Sequence, residues 1–231
     1  EAVVHVEDRG YQFADGVYEV CEIRNGRLID EKLHMARLER SLKELRIAQP
    51  MSLAALGVVL REVVRRNKVS EGLVYLQITR GVAPRNHLFP AEGTPPSIVV
   101  TSKSAPSSAG DKKAEKGVSV ISVPDNRWER VDIKTVSLLP NVLAKQAAKE
   151  AGAYEAWFVD ADGMVTEGSS TNAWIVTPDG VLVTRPAESG ILRGITRTVL
   201  FEVAKAAGLT IEERPFSLAE AHDAREAFFT A

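Results

Sequence analysis

Residues 141–146 (NVLAKQ) and 166–172 (TEGSSTN) are the two stretches of the chain that say most about its fold. The first places Lys145 in a helical segment, predicted over 140–151, that ends at Gly152, a usual position for a left-handed residue after a helix. The second is a Gly/Ser-rich turn between segments whose β-branched residues predict strands. Helices and strands do not alternate regularly around these stretches. We therefore predict an α+β fold rather than a doubly wound parallel sheet.

Periodicity predicts the other elements. Met35, Leu38 and Leu42 recur at helical spacing and predict a helix over 31–47. Further helices are predicted over 52–68 and from the segment 190–197 to residue 207. Strands are predicted wherever β-branched residues dominate a short run, at 16–20, 74–79, 98–101, 118–123, 154–160, 164–167, 172–177 and 181–184.

The length of 231 residues allows one large domain or two small ones, and the composition of one segment predicts two. Residues 104–116, a Ser/Ala/Pro/Gly stretch followed by a charged run, are predicted to be a linker between an N-terminal α+β domain, 1–103, and a C-terminal domain, 117–231. The alternation of Val4 and Val6 with polar residues is typical of a strand, but the sequence shows no start signal before it. Residues 227–231 have the composition of the middle of a strand, with no stop signal after it. We expect segments beyond both ends, including a missing part of the C-terminal domain.

Composition excludes several classes of protein. With a net charge of −2, the chain has no excess of basic residues to attract nucleic acid or an anionic membrane, and we expect neither as a partner. The single Cys21 rules out an internal disulfide and any multi-cysteine metal site, so no metal is expected. No apolar run reaches membrane-spanning length and no signal-like segment is present. These features predict a cytoplasmic enzyme.

Two lysines are candidate nucleophiles. A lysine amine becomes a usable nucleophile at neutral pH when apolar surroundings desolvate it. Lys145 follows Val142, Leu143 and Ala144, whereas Lys134 is flanked by polar and charged residues that would keep its amine protonated. We therefore predict that Lys145 is the reactive amine, against the alternative that it is an ordinary solvated helix lysine.

Two segments are candidate anion sites. The backbone and hydroxyl donors of 168–171, including Ser169 and Ser170, can bind an anion, although a plain hairpin turn has the same composition. Gly194, Ile195 and Thr196 open a helix, where free N–H groups and the helix dipole favour phosphate. The alternative for this second segment is a simple helix cap.

A third group of residues is suited to a carboxylate. Arg85 and His87 lie two residues apart on a loop, so both side chains point to one side of an extended segment. An arginine binds a carboxylate through two parallel hydrogen bonds. Arg37 is either an exposed ion-pair residue or a phosphate ligand, and Tyr18 either belongs to the core or directs its hydroxyl at a ligand.

With these residues in place, the chain resembles the class IV aminotransferases of fold type IV, which use pyridoxal 5'-phosphate, and most of all the D-amino acid aminotransferases among them. The resemblance covers essentially the whole chain, in order. It rests on the stretches 8–13 (DRGYQF), 15–19 (DGVYE), 34–38 (HMARL), 79–81 (TRG), 84–87 (PRNH), 127–128 (RW), 132–134 (DIK), 143–146 (LAKQ), 167–172 (EGSSTN) and 194–197 (GITR).

The resemblance implies a two-domain α+β fold with the cofactor in the cleft between domains. It implies that Lys145 holds pyridoxal phosphate covalently and then moves the substrate Cα proton. Glu167 would pair with the protonated pyridine nitrogen, so that the ring accepts electrons from Cα. The other implied cofactor contacts are Arg37, Ile195 and Thr196 at the phosphate and Leu192 against the ring.

The resemblance also implies the substrate and the assembly. Tyr18, Arg85 and His87 would bind the substrate α-carboxylate, with the Arg85/His87 loop reaching into the site of the neighbouring subunit of a homodimer. The implied reaction is ping-pong transfer of an amino group from a D-amino acid such as D-alanine to pyruvate or 2-oxoglutarate.

Three alternatives remain open at this point. A branched-chain L-amino acid aminotransferase would share the lysine and glutamate motifs, but should bind the carboxylate differently. An aminodeoxychorismate lyase would use the same cofactor to eliminate pyruvate. A cofactor-free binding relative is the third, and the presence of both Lys145 and Glu167 counts against it.

Overall fold

The structure, a computed structural model, describes residues 3–105, 114–188 and 190–231. The chain divides into two compact units, Glu1–Lys112 with Ile133–Ser137, and Lys113–Asp132 with Leu138–Ala231. The short segment Ile133–Ser137 therefore belongs to the first unit, although the sequence on both sides of it belongs to the second. The predicted linker falls largely on 106–113, outside the described residues, so the predicted domain bounds stay a prediction.

The described residues of the first unit form a four-stranded antiparallel sheet in the order β2-β1-β3-β4 and three helices. Its elements are α1 (Arg9–Phe13), β1 (Gly16–Arg24), β2 (Arg27–Leu28), α2 (Glu31–Glu44), α3 (Leu53–Arg66), β3 (Gly72–Thr79) and β4 (Ser97–Ser104). Ser52 begins α3 by accepting a hydrogen bond from the Ala55 N–H, as N-cap serines do.

The core of the first unit forms because one face of each element is apolar. Leu38 and Leu42 of α2 and Leu56 and Leu60 of α3 are buried together with alternate residues of β1 and β3. Ile133, from the inserted segment, joins the same cluster. This burial ties the segment that contains Lys134 to the sheet of the first unit.

The second unit contains two sheets. The first has the order β5-β6-β7 and the second β10-β9-β8-β11. The elements are β5 (Val120–Pro124), α4 (Leu139–Glu150), β6 (Glu155–Val159), β7 (Val165–Gly168), β8 (Asn172–Val176), β9 (Leu182–Thr184), α5 (Ile195–Ala206), β10 (Ile211–Glu213), α6 (Leu218–Asp223) and β11 (Glu226–Thr230). The turn 169–171 connects one sheet to the other, because β7 and β8 belong to different sheets.

The predicted α+β class is confirmed, and the predicted helices and strands lie close to the observed ones. The strand expected around Val4 and Val6 is wrong, since residues 3–7 are coil and turn with exposed valines. The short elements α1, β10 and α6 were not predicted, because five residues or so carry too little periodicity. Among the described residues, no helix combines the length and apolarity needed to cross a membrane.

Candidate active site

Glu19 is a buried carboxylate in β1 that orients Arg37. The Nε and Nη2 atoms of Arg37 donate to Glu19 Oε1 and Oε2, each over 2.7 Å, and His34 Nδ1 lies 2.8 Å from Oε2. Burial would raise the pKa of Glu19, but the hydrogen bonds from Arg37 and His34 hold it below its ordinary value. Arg37, predicted to bind phosphate, is thus fixed by two parallel hydrogen bonds.

Lys134 lies against Tyr18 in the same unit. Its Nζ is 3.3 Å from Tyr18 Oη and 4.3 Å from the centre of the tyrosine ring. The Tyr18 N–H donates to the Lys134 carbonyl oxygen over 3.0 Å, which fixes the backbone of Lys134 beside β1. Lys134 is half-buried. The reason for discounting this lysine, a purely polar environment, is therefore wrong.

Arg85 and His87 lie together over Phe13. The guanidinium carbon of Arg85 is 4.8 Å from the centre of the Phe13 ring, and the rings of His87 and Phe13 are 5.5 Å apart. Both side chains are exposed. The structure thus places both predicted residues beside Phe13 on the exposed surface of the first unit.

Lys145, the predicted nucleophile, is not desolvated. Its side chain is 44% exposed, and its Nζ donates to the Tyr154 carbonyl oxygen over 2.6 Å and lies 3.4 Å from Glu155 Oε1. The apolar neighbours Val142 and Leu143 are themselves exposed on α4 and do not cover the amine. The expectation of a desolvated amine is wrong, because the helix turns those neighbours outward.

Ser169 and Ser170, predicted to bind the cofactor, direct their hydroxyl groups at Glu155. The Ser169 hydroxyl donates to Oε1 of this fully buried carboxylate, and the Ser170 hydroxyl donates to Oε2 over 3.2 Å. The Ala156 N–H donates to Oε1 over 2.9 Å. In the described structure these hydroxyls therefore hold the turn in place, with Lys145 as the partner of the same carboxylate.

Glu167, one residue before the end of β7, is a buried carboxylate with donors on both oxygens. Arg127 Nη1 donates to Oε1, while Asn172 Nδ2 and the Leu192 N–H donate to Oε2 over 3.0 and 3.1 Å. Asp125 in turn binds Arg127 through both of its oxygens. Three donors, one of them cationic, stabilise the charge that the predicted pairing with a pyridinium nitrogen requires.

Asn172 connects Glu167 to the start of helix α5. Its Nδ2 also donates to the Leu192 carbonyl oxygen over 2.9 Å. A Cβ atom at Gly194 would lie 2.1 Å from Asn172 Oδ1, so only glycine leaves room for the amide at this position. The structure therefore brings Glu167, Leu192 and the predicted phosphate segment together in the second unit.

Helix α5 begins at Ile195 with Gly194 as its N-cap and without a side-chain hydrogen bond to the cap. The first N–H groups of such a helix are suited to an anion. Thr196 is exposed, and its hydroxyl donates to the Ala231 carbonyl oxygen. The predicted phosphate segment thus has the expected backbone geometry.

Several residues that shape the site were missed as site residues in the sequence: Glu19, His34, Asp125, Arg127, Glu155 and Asn172. One of them had a readable signal. Glu19 shares a strand face with Val17 and Cys21, and a carboxylate at a core-facing position needs a buried partner. The others are identified by their contacts in the structure, several of which join residues distant in sequence, such as Arg127 and Glu167.

Comparisons with known proteins identify the family of this chain. The model of the family described as amino-transferase class IV matches residues 16–231. A D-alanine aminotransferase of Bacillus licheniformis is 44% identical over 100% of this chain and 80% of its own length. One from Listeria innocua is 41% identical over 100% of this chain and 79% of its own.

A solved structure of a hypothetical aminotransferase from Mycobacterium tuberculosis, in its PLP-bound form, superposes with a TM-score of 0.88. It is 26% identical and covers 100% of this chain and 82% of its own. The family match spans nearly the whole chain and the curated relatives exceed 40% identity. This chain belongs to the class IV aminotransferases.

Proposed function

We propose that this chain is a pyridoxal-phosphate-dependent aminotransferase that moves the amino group of a D-amino acid, such as D-alanine, to a 2-oxo acid. The observation that carries the proposal is the Lys134 amine beside the Tyr18 hydroxyl, 3.3 Å apart. A nucleophilic amine next to a predicted carboxylate ligand is what amino transfer requires. The name of the two curated relatives, D-alanine aminotransferase, supports the same substrate class.

Each unit carries side chains of the kinds that pyridoxal phosphate needs. The first unit supplies an amine, Lys134, and an oriented guanidinium, Arg37. The second unit supplies a buried carboxylate, Glu167, and a helix start at Ile195 that lacks a side-chain cap. An amine, a carboxylate and phosphate donors match the aldehyde, the pyridine nitrogen and the phosphate of this cofactor.

When bound, pyridoxal phosphate withdraws electrons from the Cα atom of an attached amino acid and so acidifies Cα–H. Lys134 would bind the cofactor through Nζ and, once the substrate amine has displaced it, accept the Cα proton on the same atom. Glu167 would hold a proton on the pyridine nitrogen. Arg37 with the N–H groups of Ile195 and Thr196 would bind the phosphate, and Leu192 would pack on the ring.

We assign the nucleophile to Lys134 and give Lys145 a supporting role. The amine of Lys145 is already bound to a carbonyl oxygen and to the buried carboxylate of Glu155, which in turn holds the hydroxyls of Ser169 and Ser170. Those two serines would keep the turn after Glu167 in shape and offer backbone donors to the cofactor.

The substrate α-carboxylate would be held by Tyr18, Arg85 and His87. We infer a homodimer in which this loop reaches the neighbouring site. The exposed apolar side chains beside it support a covering second copy, since Leu88 is 74% exposed and Phe89 is also exposed. The near-neutral charge and single cysteine support a cytoplasmic enzyme that binds neither nucleic acid nor membrane.

Arg85→Ala is expected to raise KM for D-alanine about tenfold or more with a smaller change in kcat. A charge-assisted hydrogen bond contributes roughly 1.5–3 kcal/mol, and Arg85 would make this contact to the carboxylate of the substrate. Steady-state kinetics at saturating cofactor measure the effect. Arg65→Ala is the matched control, because Arg65 is an exposed arginine of the same unit that pairs with Glu62. An unchanged KM in Arg85→Ala means that the carboxylate is bound elsewhere.

The proposal is tested by assaying D-alanine and L-alanine side by side with 2-oxoglutarate. We expect pyruvate and glutamate to form in equal amounts from the D-enantiomer and at a far lower rate from the L-enantiomer. Faster turnover of L-leucine than of D-alanine would instead identify a branched-chain enzyme. Release of pyruvate from aminodeoxychorismate without an amino acceptor would identify a lyase, and failure to bind pyridoxal phosphate a cofactor-free relative.

A further inference from the structure

Three charged side chains form a buried row in the second unit. Arg127 Nε and Nη2 donate to the two oxygens of Asp125 over 2.9 and 2.7 Å, and Nη1 donates to Glu167. The side chains of Arg127, Glu167 and Asp125 are only 4%, 7% and 15% exposed. Arg127 also lies 4.4 Å above the Phe158 ring. Solvent therefore screens the charges in this row weakly.

Arg127 and Asp125 both keep their charge. Burial alone would lower the pKa of Arg127, but the hydrogen bond to Asp125 and the charge of Glu167 raise it above its ordinary value. Burial would raise the pKa of Asp125, but the hydrogen bonds and charge of Arg127 hold it below its ordinary value. With one cation between two anions, the row carries a net charge of about −1.

That net charge matters to anything that Glu167 binds. An arginine paired with Glu167 alone would cancel the negative charge of Glu167, and a second cation next to the same carboxylate would be disfavoured. Asp125 binds the far side of the guanidinium and cancels the arginine instead. The hydrogen bond from Arg127 then still fixes the position of the Glu167 carboxylate. The negative charge of Glu167 remains available to stabilise a proton on a ring nitrogen.

We infer that Asp125 is a positioning and charge-setting residue that keeps the cofactor's pyridine nitrogen protonated by neutralising Arg127 beside Glu167. This inference rests on the proposed function, in which Glu167 meets that nitrogen. The remaining donors to Glu167, Asn172 and the Leu192 N–H, are neutral. The nearby charged residues of β6 and its following turn, Glu155 and Asp160, are paired with Lys145 and Arg185.

The test uses Asp125→Asn, which keeps the side-chain shape but removes the negative charge that neutralises Arg127 on the side away from Glu167. Pyridine-¹⁵N pyridoxal phosphate bound to the enzyme reports ring protonation directly through its ¹⁵N chemical shift. We expect this shift to move from the protonated toward the neutral range, and kcat for D-alanine to fall about tenfold or more with little change in KM. Reconstitution with 1-deazapyridoxal phosphate, which has no ring nitrogen, should abolish the difference in kcat between the variant and the wild type.

Two further variants separate charge from structure. The double variant Asp125→Asn with Arg127→Gln returns the net charge to about −1, so it should restore the protonated ¹⁵N shift although it removes more hydrogen bonds. Thr166→Val is the structural control. The Thr166 hydroxyl donates to Asp125 over 2.8 Å, and its loss changes no charge, so the ¹⁵N shift should stay as in the wild type.

The inference is overturned if the pyridine nitrogen stays protonated in Asp125→Asn. It is also overturned if the ¹⁵N chemical shift of the double variant differs more from the wild-type value than that of the single variant does. If Asp125→Asn does not fold, as judged by thermal melting, the double variant alone decides: a neutral nitrogen there means that charge does not set the protonation. A wild-type protein that binds no pyridoxal phosphate, or binds it with a neutral nitrogen, contradicts the proposed function instead.

Discussion

Lys134→Ala is expected to lower kcat for D-alanine by more than about 10³-fold, because a positioned group that transfers a proton contributes about 10²–10⁴ and this variant also loses the covalent attachment of the cofactor. Tyr18, which lies 3.3 Å from the Lys134 amine, should remain in place, since its own backbone pairing does not need the lysine side chain. Turnover and the absorbance of the bound cofactor measure the two losses.

The matched control for this experiment is Lys145→Ala. We expect it to keep the absorbance and most of the turnover, and to melt at a lower temperature because Glu155 loses its cationic partner. Borohydride reduction of the wild-type protein, followed by peptide mapping, should find the cofactor on the peptide that contains Lys134. Finding the cofactor on Lys145 would contradict the assignment to Lys134 and support the prediction made from the sequence.

Glu167→Gln is expected to lower kcat by about 10² while the cofactor stays bound, because the neutral amide no longer favours a proton on the pyridine nitrogen and the Cα–H bond becomes harder to break. Cα-deuterated D-alanine should then show a larger kinetic isotope effect than with the wild type, since proton removal becomes rate-limiting. The measurements are steady-state kinetics with both isotopologues and equilibrium binding of the cofactor.

Glu213→Gln is the control for Glu167→Gln. Glu213 is a carboxylate of the same unit that pairs with an arginine, Arg197, but lies in a different strand, β10. We expect its kcat and isotope effect to match those of the wild type. An isotope effect in Glu167→Gln that equals the wild-type value would mean that this glutamate does not govern proton removal.

Local sequence patterns were sufficient for the longer helices and strands. Leu38 and Leu42 recur at helical spacing in α2, and β-branched residues dominate β3 and β8, so periodicity placed these elements within a few residues. The Arg85/His87 pair was also readable, because two residues of one loop are near each other whatever the rest of the chain does. Both are properties of neighbours in sequence.

The solvent exposure of the two lysines could not be predicted from their neighbours in sequence. Lys145 has apolar neighbours in sequence, yet α4 presents them to solvent and leaves the amine half exposed. Lys134 has polar neighbours, yet the segment 133–137 packs with the first unit and places its amine on the Tyr18 ring. Desolvation depends on what packs against a side chain, and the adjacent residues do not report it.

The sequence by itself therefore determined the family, the α+β class and the order of the longer elements, because motifs and local periodicity carry this information. It also located Glu167 and the two segments for which we propose phosphate and substrate binding. Only the tertiary structure decided which amine lies beside Tyr18 and how the charges of Asp125, Arg127 and Glu167 are paired. The pairing and the burial of charged side chains depend largely on contacts between residues far apart in the chain. Those contacts set the electrostatics on which the proposed chemistry depends.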